Sequence, residues 1–126
     1  MGQSKVLIVD DDPDVREYAV AVLEEEGFEV VVAADGEAAL RLLERDPGIS
    51  LLFTDVVMPG LNGFETARLA RQYRPDVGVL FASGYATDLT PAGRLLKKPY
   101  RPQQLVREVV SLLGDRGRQP AAPEPL

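Results

Sequence analysis

Five short apolar runs punctuate the chain, and within them apolar residues do not alternate regularly with polar ones. They read "KVLIV" at 5–9, "FEVVVA" at 28–33, "ISLLFT" at 49–54, "VGVLFA" at 77–82 and a shorter "LLK" at 95–97. A continuous apolar run is expected to be buried on both faces. That is the mark of a parallel sheet covered by helices, and it constrains the fold more than any other feature of the sequence.

The intervals carry helical spacing. Val15, Tyr18, Ala19, Val22 and Leu23 fall on one face, and Gly27 makes a stop. Asp35 is placed to cap a second helix bearing Ala39, Leu42 and Leu43, with Pro47 beyond its end. Phe64, Ala67, Ala70 and Tyr73 mark a third, closed by Pro75, and Leu105, Val106, Val109, Val110 and Leu113 mark the last. Pro59, Gly60 and the pair Asn62-Gly63 read as tight turns. Strands separated by helices of this length imply right-handed βα units. The expected fold is α/β, an open, doubly wound sheet of five parallel strands. Residues 1–114 are expected to form one domain, and the Pro-rich segment 115–126 a disordered tail.

Composition removes several chemistries. The 126 residues include no cysteine and no histidine. Disulfides, thiolate catalysis and histidine-based acid–base work are therefore excluded. A bound metal must be a hard cation on oxygen ligands, of which magnesium is the best match. The net charge of -6 argues against a nucleic-acid surface. No apolar run reaches the roughly 18 residues of a membrane span. The opening "MGQSK" lacks the shape of a signal peptide and reads as a native start.

In open α/β sheets, sites form beyond the carboxyl ends of the strands. The first run ends in Asp10 and Asp11, the third in Asp55, the fourth in Ser83 and the fifth in Lys98. Two carboxylates about 4 Å apart repel by about 4 kcal/mol at an effective dielectric near 20. Three gathered on one rim need a cation, and one lysine offsets only part of the repulsion. Asp12 reads instead as the cap of the first helix, with Pro13 at its first position and Asp14 in its first turn. Lys97 reads as a solvated lysine.

These residues resemble the receiver domain of bacterial two-component response regulators. The carrying motifs are "VDDD", "TDVVMPGLNGFE", "FASGYA" and "KKPY", and the resemblance covers roughly residues 5–114. It implies a flavodoxin-like strand order of 2-1-3-4-5. It implies that Asp55 is the phosphoacceptor, attacking a phosphohistidine on a histidine kinase or a histidine phosphotransfer protein. Asp11 would bind Mg2+, or Mn2+ in its place, directly. Asp10 would do so largely through water, and Asp55 and the backbone carbonyl of Val57 would complete the protein ligands. Ser83 would hydrogen-bond the phosphoryl group and Lys98 would pair with it, the Lys98–Pro99 bond being cis.

Three departures from the family pattern carry expectations. The segment from Ser83 to Lys98 is short, so the family's fourth helix is expected to be shortened or absent, which puts the family's usual dimer in doubt. Leu95 stands where the family has a switch aromatic, and Tyr85 or Tyr100 is expected to substitute. Neither Val57 nor Tyr85 offers a carboxylate or amide to orient water, so slow loss of the acyl phosphate is expected. "FASGYA" also resembles the motif of a receiver subclass nicknamed FATGUY and of receivers attached to hybrid kinases.

The function so implied is that of a cytoplasmic, single-domain phosphoacceptor, not an enzyme in the usual sense. It would be a monomer or weak dimer, switching contacts with a downstream protein target, with no nucleic acid or membrane as partner. Two alternatives stand beside it: an interaction module whose site is vestigial, and a receiver cut from a hybrid histidine kinase. A phosphatase with an aspartate nucleophile fits less well, since its pattern has a second Asp where Val57 stands. Nucleotide binding fits least, because acids and not a Gly-rich loop follow the first strand.

Overall fold

The computed structural model describes residues 4–84 and 94–114. The strands are β1 (Lys5–Val9), β2 (Glu29–Ala33), β3 (Ile49–Asp55), β4 (Gly78–Ser83) and β5 (Arg94–Lys97). The helices are α1 (Pro13–Glu25), α2 (Gly36–Arg45), α3 (Gly63–Tyr73) and α4 (Pro102–Leu113). All strand pairs are parallel, and the order is β2-β1-β3-β4-β5. Among the described residues no helix stands between β4 and β5. Residues 85–93, and with them Tyr85, lie outside the described residues, as does the segment expected to be a tail.

Successive residues of one strand serve opposite cores, because side chains alternate across a sheet. Val6 and Ile8 of β1 pack with Ala19 and Leu23 of α1 and Leu105 and Val109 of α4. Leu7 and Val9 pack with Ala39 and Leu43 of α2 and Ala67 and Ala70 of α3. The sheet thus carries α1 and α4 on one face and α2 and α3 on the other. Truncating a fully buried leucine such as Leu23 to alanine would cost about 2–5 kcal/mol.

The expectation of burial on both faces fails for β2. Its run is as apolar as the others, but β2 is an edge strand, and Val32 is 45% exposed.

The helix starts follow local chemistry. The Asp12 carboxylate accepts from the amides of Asp14 and Val15, so it caps α1. Asp35 does the same for α2 through the Ala38 amide. Gly27 takes φ 95° just after α1, where a side chain would be strained. The reading of Asn62-Gly63 as a turn needs correction. Asn62 caps α3, accepting from the Glu65 amide at 2.8 Å, while the Glu65 carboxylate accepts from the Asn62 amide at 2.9 Å. "NGFE" is therefore a reciprocal capping box.

The amino ends of the strands are tied together. Arg74, just after α3, donates to the backbone carbonyls of Asp46, Pro47 and Ile49. Lys5 pairs with Asp46 at 2.7 Å and lies 3.8 Å from Glu29.

Candidate functional site

The carboxyl ends of β1, β3, β4 and β5 meet on one rim, at the switch point between β1 and β3, where successive strands begin to be added on the other side of β1. Asp10 follows β1 and is 5% exposed, while Asp11 beside it is exposed. Asp55 is the last residue of β3 and turns a nearly buried carboxylate, 11% exposed, into the same space. Oxygens of these three residues lie within 4.8 Å of one another. The fifth strand delivers the opposite charge. Lys98 Nζ stands 3.1 Å from Asp10 Oδ2 and 3.1 Å from Asp55 Oδ1.

Backbone contacts set these positions. The Lys98 amide donates to the Ser83 carbonyl at 2.8 Å, so the loop after β5 is moored to the end of β4; the Lys98–Pro99 bond is cis. Ser83 is buried at 3% exposure on the same rim. After Asp55 the chain is held on both sides: the Val56 amide donates to Ala82 and the Gly63 amide to the Val56 carbonyl. Val57 lies in this loop and is 57% exposed, while Met58 next to it is buried. Gly63 admits no side chain, since a Cβ would stand 2.3 Å from the Asp55 carbonyl oxygen. The buried Thr54 hydroxyl donates to that same oxygen at 2.9 Å.

The electrostatics are those of crowded acids with one ammonium. Burial pushes the Asp55 carboxyl above its ordinary range; Lys98 opposes this, and Asp10 and Asp11 add to it. Burial pulls on Lys98 the other way, but the carboxylates of Asp10 and Asp55 outweigh it and hold the ammonium charged. The donor set is entirely oxygen and partly open at Asp11, which fits a hard divalent cation held by one or two carboxylates.

Lys97 is exposed, as its reading as a solvated lysine requires. Tyr100 is buried, its ring 5.9 Å from Phe53 and 5.8 Å from Tyr18, and the Tyr18 hydroxyl donates to the Tyr100 carbonyl. Burial holds its phenol well above the usual range. Val15, Tyr18, Pro99 and Tyr100 border an open hollow of about 600 Å³ with Lys98 at its edge. One contact went unread in the sequence: Arg16 on α1 donates to the Asp10 carbonyl at 2.7 Å. No spacing rule announces it, because a long side chain's target is set by tertiary placement.

A doubly wound parallel sheet with a lysine-bridged acidic rim defines a class of α/β domain with one site at the carboxyl ends of its strands. The family model described as response regulator receiver domain matches residues 6–110, and the chain belongs to that family, the receivers of two-component systems. It is 34% identical over 116 residues to the response regulator receiver protein CpdR of Brucella abortus, covering 86% of this chain and 96% of that protein. Of several longer curated relatives it spans about half the length or less. Among solved structures, the receiver domain of the hybrid histidine kinase CckA is 38% identical with a TM-score of 0.78, covering 87% of this chain and 99% of that one. The response regulator TrrA of Thermotoga maritima, solved in complex with Mg(2+)-BeF, is 31% identical with a TM-score of 0.81, covering 88% and 100%. No helix among the described residues is long and apolar enough to cross a membrane.

Proposed function

We propose that this receiver accepts a phosphoryl group on Asp55 from a phosphohistidine of a histidine kinase or phosphotransfer protein. One Asp55 oxygen attacks phosphorus, a P–O bond forms, and the P–N bond breaks with its electron pair returning to the imidazole. The product is an acyl phosphate. Asp10, Asp11, the Asp55 carboxylate and the Val57 carbonyl would hold Mg2+, or Mn2+ in its place. The bound cation supplies neutralisation of charge on the phosphoryl oxygens. Such transfer depends on positioning and charge neutralisation more than on covalent help.

The observation that carries this reading is the meeting of Asp55 with Lys98 at 3.1 Å, beside Asp10 and Asp11, at the carboxyl rim. Lys98 would follow the phosphoryl oxygens once they replace the free carboxylate. Ser83, buried on the same rim and tied through its carbonyl to Lys98, would donate its hydroxyl to them. The product carries nearly one more negative charge than the carboxylate, and drawing in Ser83 and Lys98 moves the loops that carry them. Tyr100 sits two residues past Lys98 and would be the aromatic that moves with it. The moved loops would alter contacts with a downstream protein. The apolar, exposed Val57 offers no group to orient water, which favours an acyl phosphate lasting minutes or longer.

The test is an intact mass after incubation with Mg2+ and a small phosphodonor. One phosphoryl adduct is expected, absent in Asp55→Asn. No adduct would favour the interaction module, and steady phosphate release from varied substrates would favour a phosphatase. The likeness to the CckA receiver supports a second setting for the same chemistry, as the receiving unit of a larger kinase.

A further inference from the structure

Asp10 is held at its amide, its carbonyl and both carboxylate oxygens. The β1 ladder ends at Val9, so of the backbone groups of Asp10 only the amide is met by a neighbouring strand. Its amide donates to the Ala33 carbonyl at 3.3 Å, one carboxylate oxygen accepts from the Asp12 amide at 3.0 Å, and the other from Lys98. Its carbonyl accepts from Arg16 Nη1 at 2.7 Å. The Arg16 amide in turn donates to the Asp12 carbonyl at 3.0 Å. The loop bearing Asp10, Asp11 and Asp12 is thus closed by a guanidinium from α1 onto the residue where the strand ends.

Helix stability gives no reason for an arginine here. Arg16 is the fourth residue of α1, near the positive end of the helix dipole, where a cation is disfavoured. Among the described residues it takes part in no ion pair. Its side chain is half-buried and spends its charge on one backbone carbonyl. A charge-assisted bond of this kind is stronger than a neutral one, and losing it would leave the carbonyl of a buried residue without its partner.

We propose that Arg16 is a positioning residue for the acidic rim. By tethering the Asp10 carbonyl to α1, it fixes the loop so that the carboxylates of Asp10 and Asp11 converge with Asp55 before a cation arrives. The inference rests on the reading of that rim as a divalent-cation site. Partners that orient the ligands of a metal site set its affinity, and losing one weakens binding about 10–100-fold.

Calorimetric titration of the whole chain with Mg2+ tests this, alongside metal-free melting. Arg16→Met is expected to raise the Mg2+ dissociation constant about tenfold. Arg16→Lys, which keeps the charge on a shorter donor, is expected to recover part of the loss. If Arg16→Met does not fold, Arg16→Gln is read by the same criterion. Mg2+ affinity within about twofold of the parent in a folded variant overturns the inference alone. Tighter binding in Arg16→Met overturns it too, because the guanidinium would then act as a charge opposing the ion. No Mg2+ binding by the parent overturns the cation site and the inference together.

Discussion

Lys98 and Asp10 lie 88 positions apart in the chain, yet the lysine ammonium stands 3.1 Å from the aspartate carboxylate. The pair is largely buried, with side-chain exposures of 22% and 8%. Removing one partner of such a pair leaves an uncompensated charge. Lys98→Met is expected to destabilise the metal-free protein by about 3 kcal/mol. Adding Asp10→Asn to the same chain should return much of that loss. Urea unfolding of the two single variants and the double variant measures it; additive losses would show that the pair is not coupled.

Asp55 should leave a signature in the pH dependence of stability. Its folded value is raised, so between the ordinary value of 3.8 and that raised value the folded state keeps a proton the unfolded chain has released. Stability from this group therefore falls as pH rises through that window. Asp55→Asn removes the effect while Lys98 keeps Asp10 as a partner. The variant is expected to melt higher than the parent at neutral pH without metal, the gap opening above pH 3.8 and levelling off beyond the raised value. A parent that melts higher than Asp55→Asn at neutral pH would contradict this. Lys98, whose folded value is also raised, contributes stability that is lost only in alkali, as pH passes that folded value.

The acidic run at 10–14 divides by task. Asp12→Ala removes the acceptor for two amides of α1 and is expected to cost about 1 kcal/mol, with Mg2+ affinity unchanged. Asp11→Ala should do the opposite, removing Mg2+ binding with little loss of stability. Titration and melting of both variants decide it, and equal effects on metal binding would break the division.

Gly63→Ala is expected to destabilise by about 1–3 kcal/mol, the range for overpacking. Its Cβ would press on the Asp55 carbonyl at 2.3 Å and the Val56 Cα at 2.9 Å, both backbone atoms with little freedom to retreat. If Asp55 accepts the phosphoryl group as proposed, phosphorylation should slow as its backbone is displaced. A variant of parental stability would mean the loop yields more easily than its hydrogen bonds imply.

The alternation of apolar runs and helical stripes made the layered architecture legible, because burial of both sheet faces writes itself into composition. Strand position does not. "FEVVVA" and "ISLLFT" look alike, yet the first forms an edge with Val32 in solvent and the second holds the centre. The cap at Asp12 was readable from neighbouring residues, and so was the box of Asn62 and Glu65, had its spacing been weighed against a turn. The rim residues were readable because each ends an apolar run. The pairing of Lys98 with Asp10, and the reach of Arg16 to a carbonyl, follow from how separate elements come to rest and leave no local trace.

The clasp of Arg74 on three carbonyls, with Lys5 on Asp46, lies at the end of the sheet opposite the acidic rim. It gives the domain a fixed pole and a working pole. A charge added at the rim would not easily be absorbed by sliding β1 or β3, since their far ends are pinned through side chains and backbone together. Under the proposed function, a partner that reads a phosphoryl group on Asp55 would have reason to approach from the working pole.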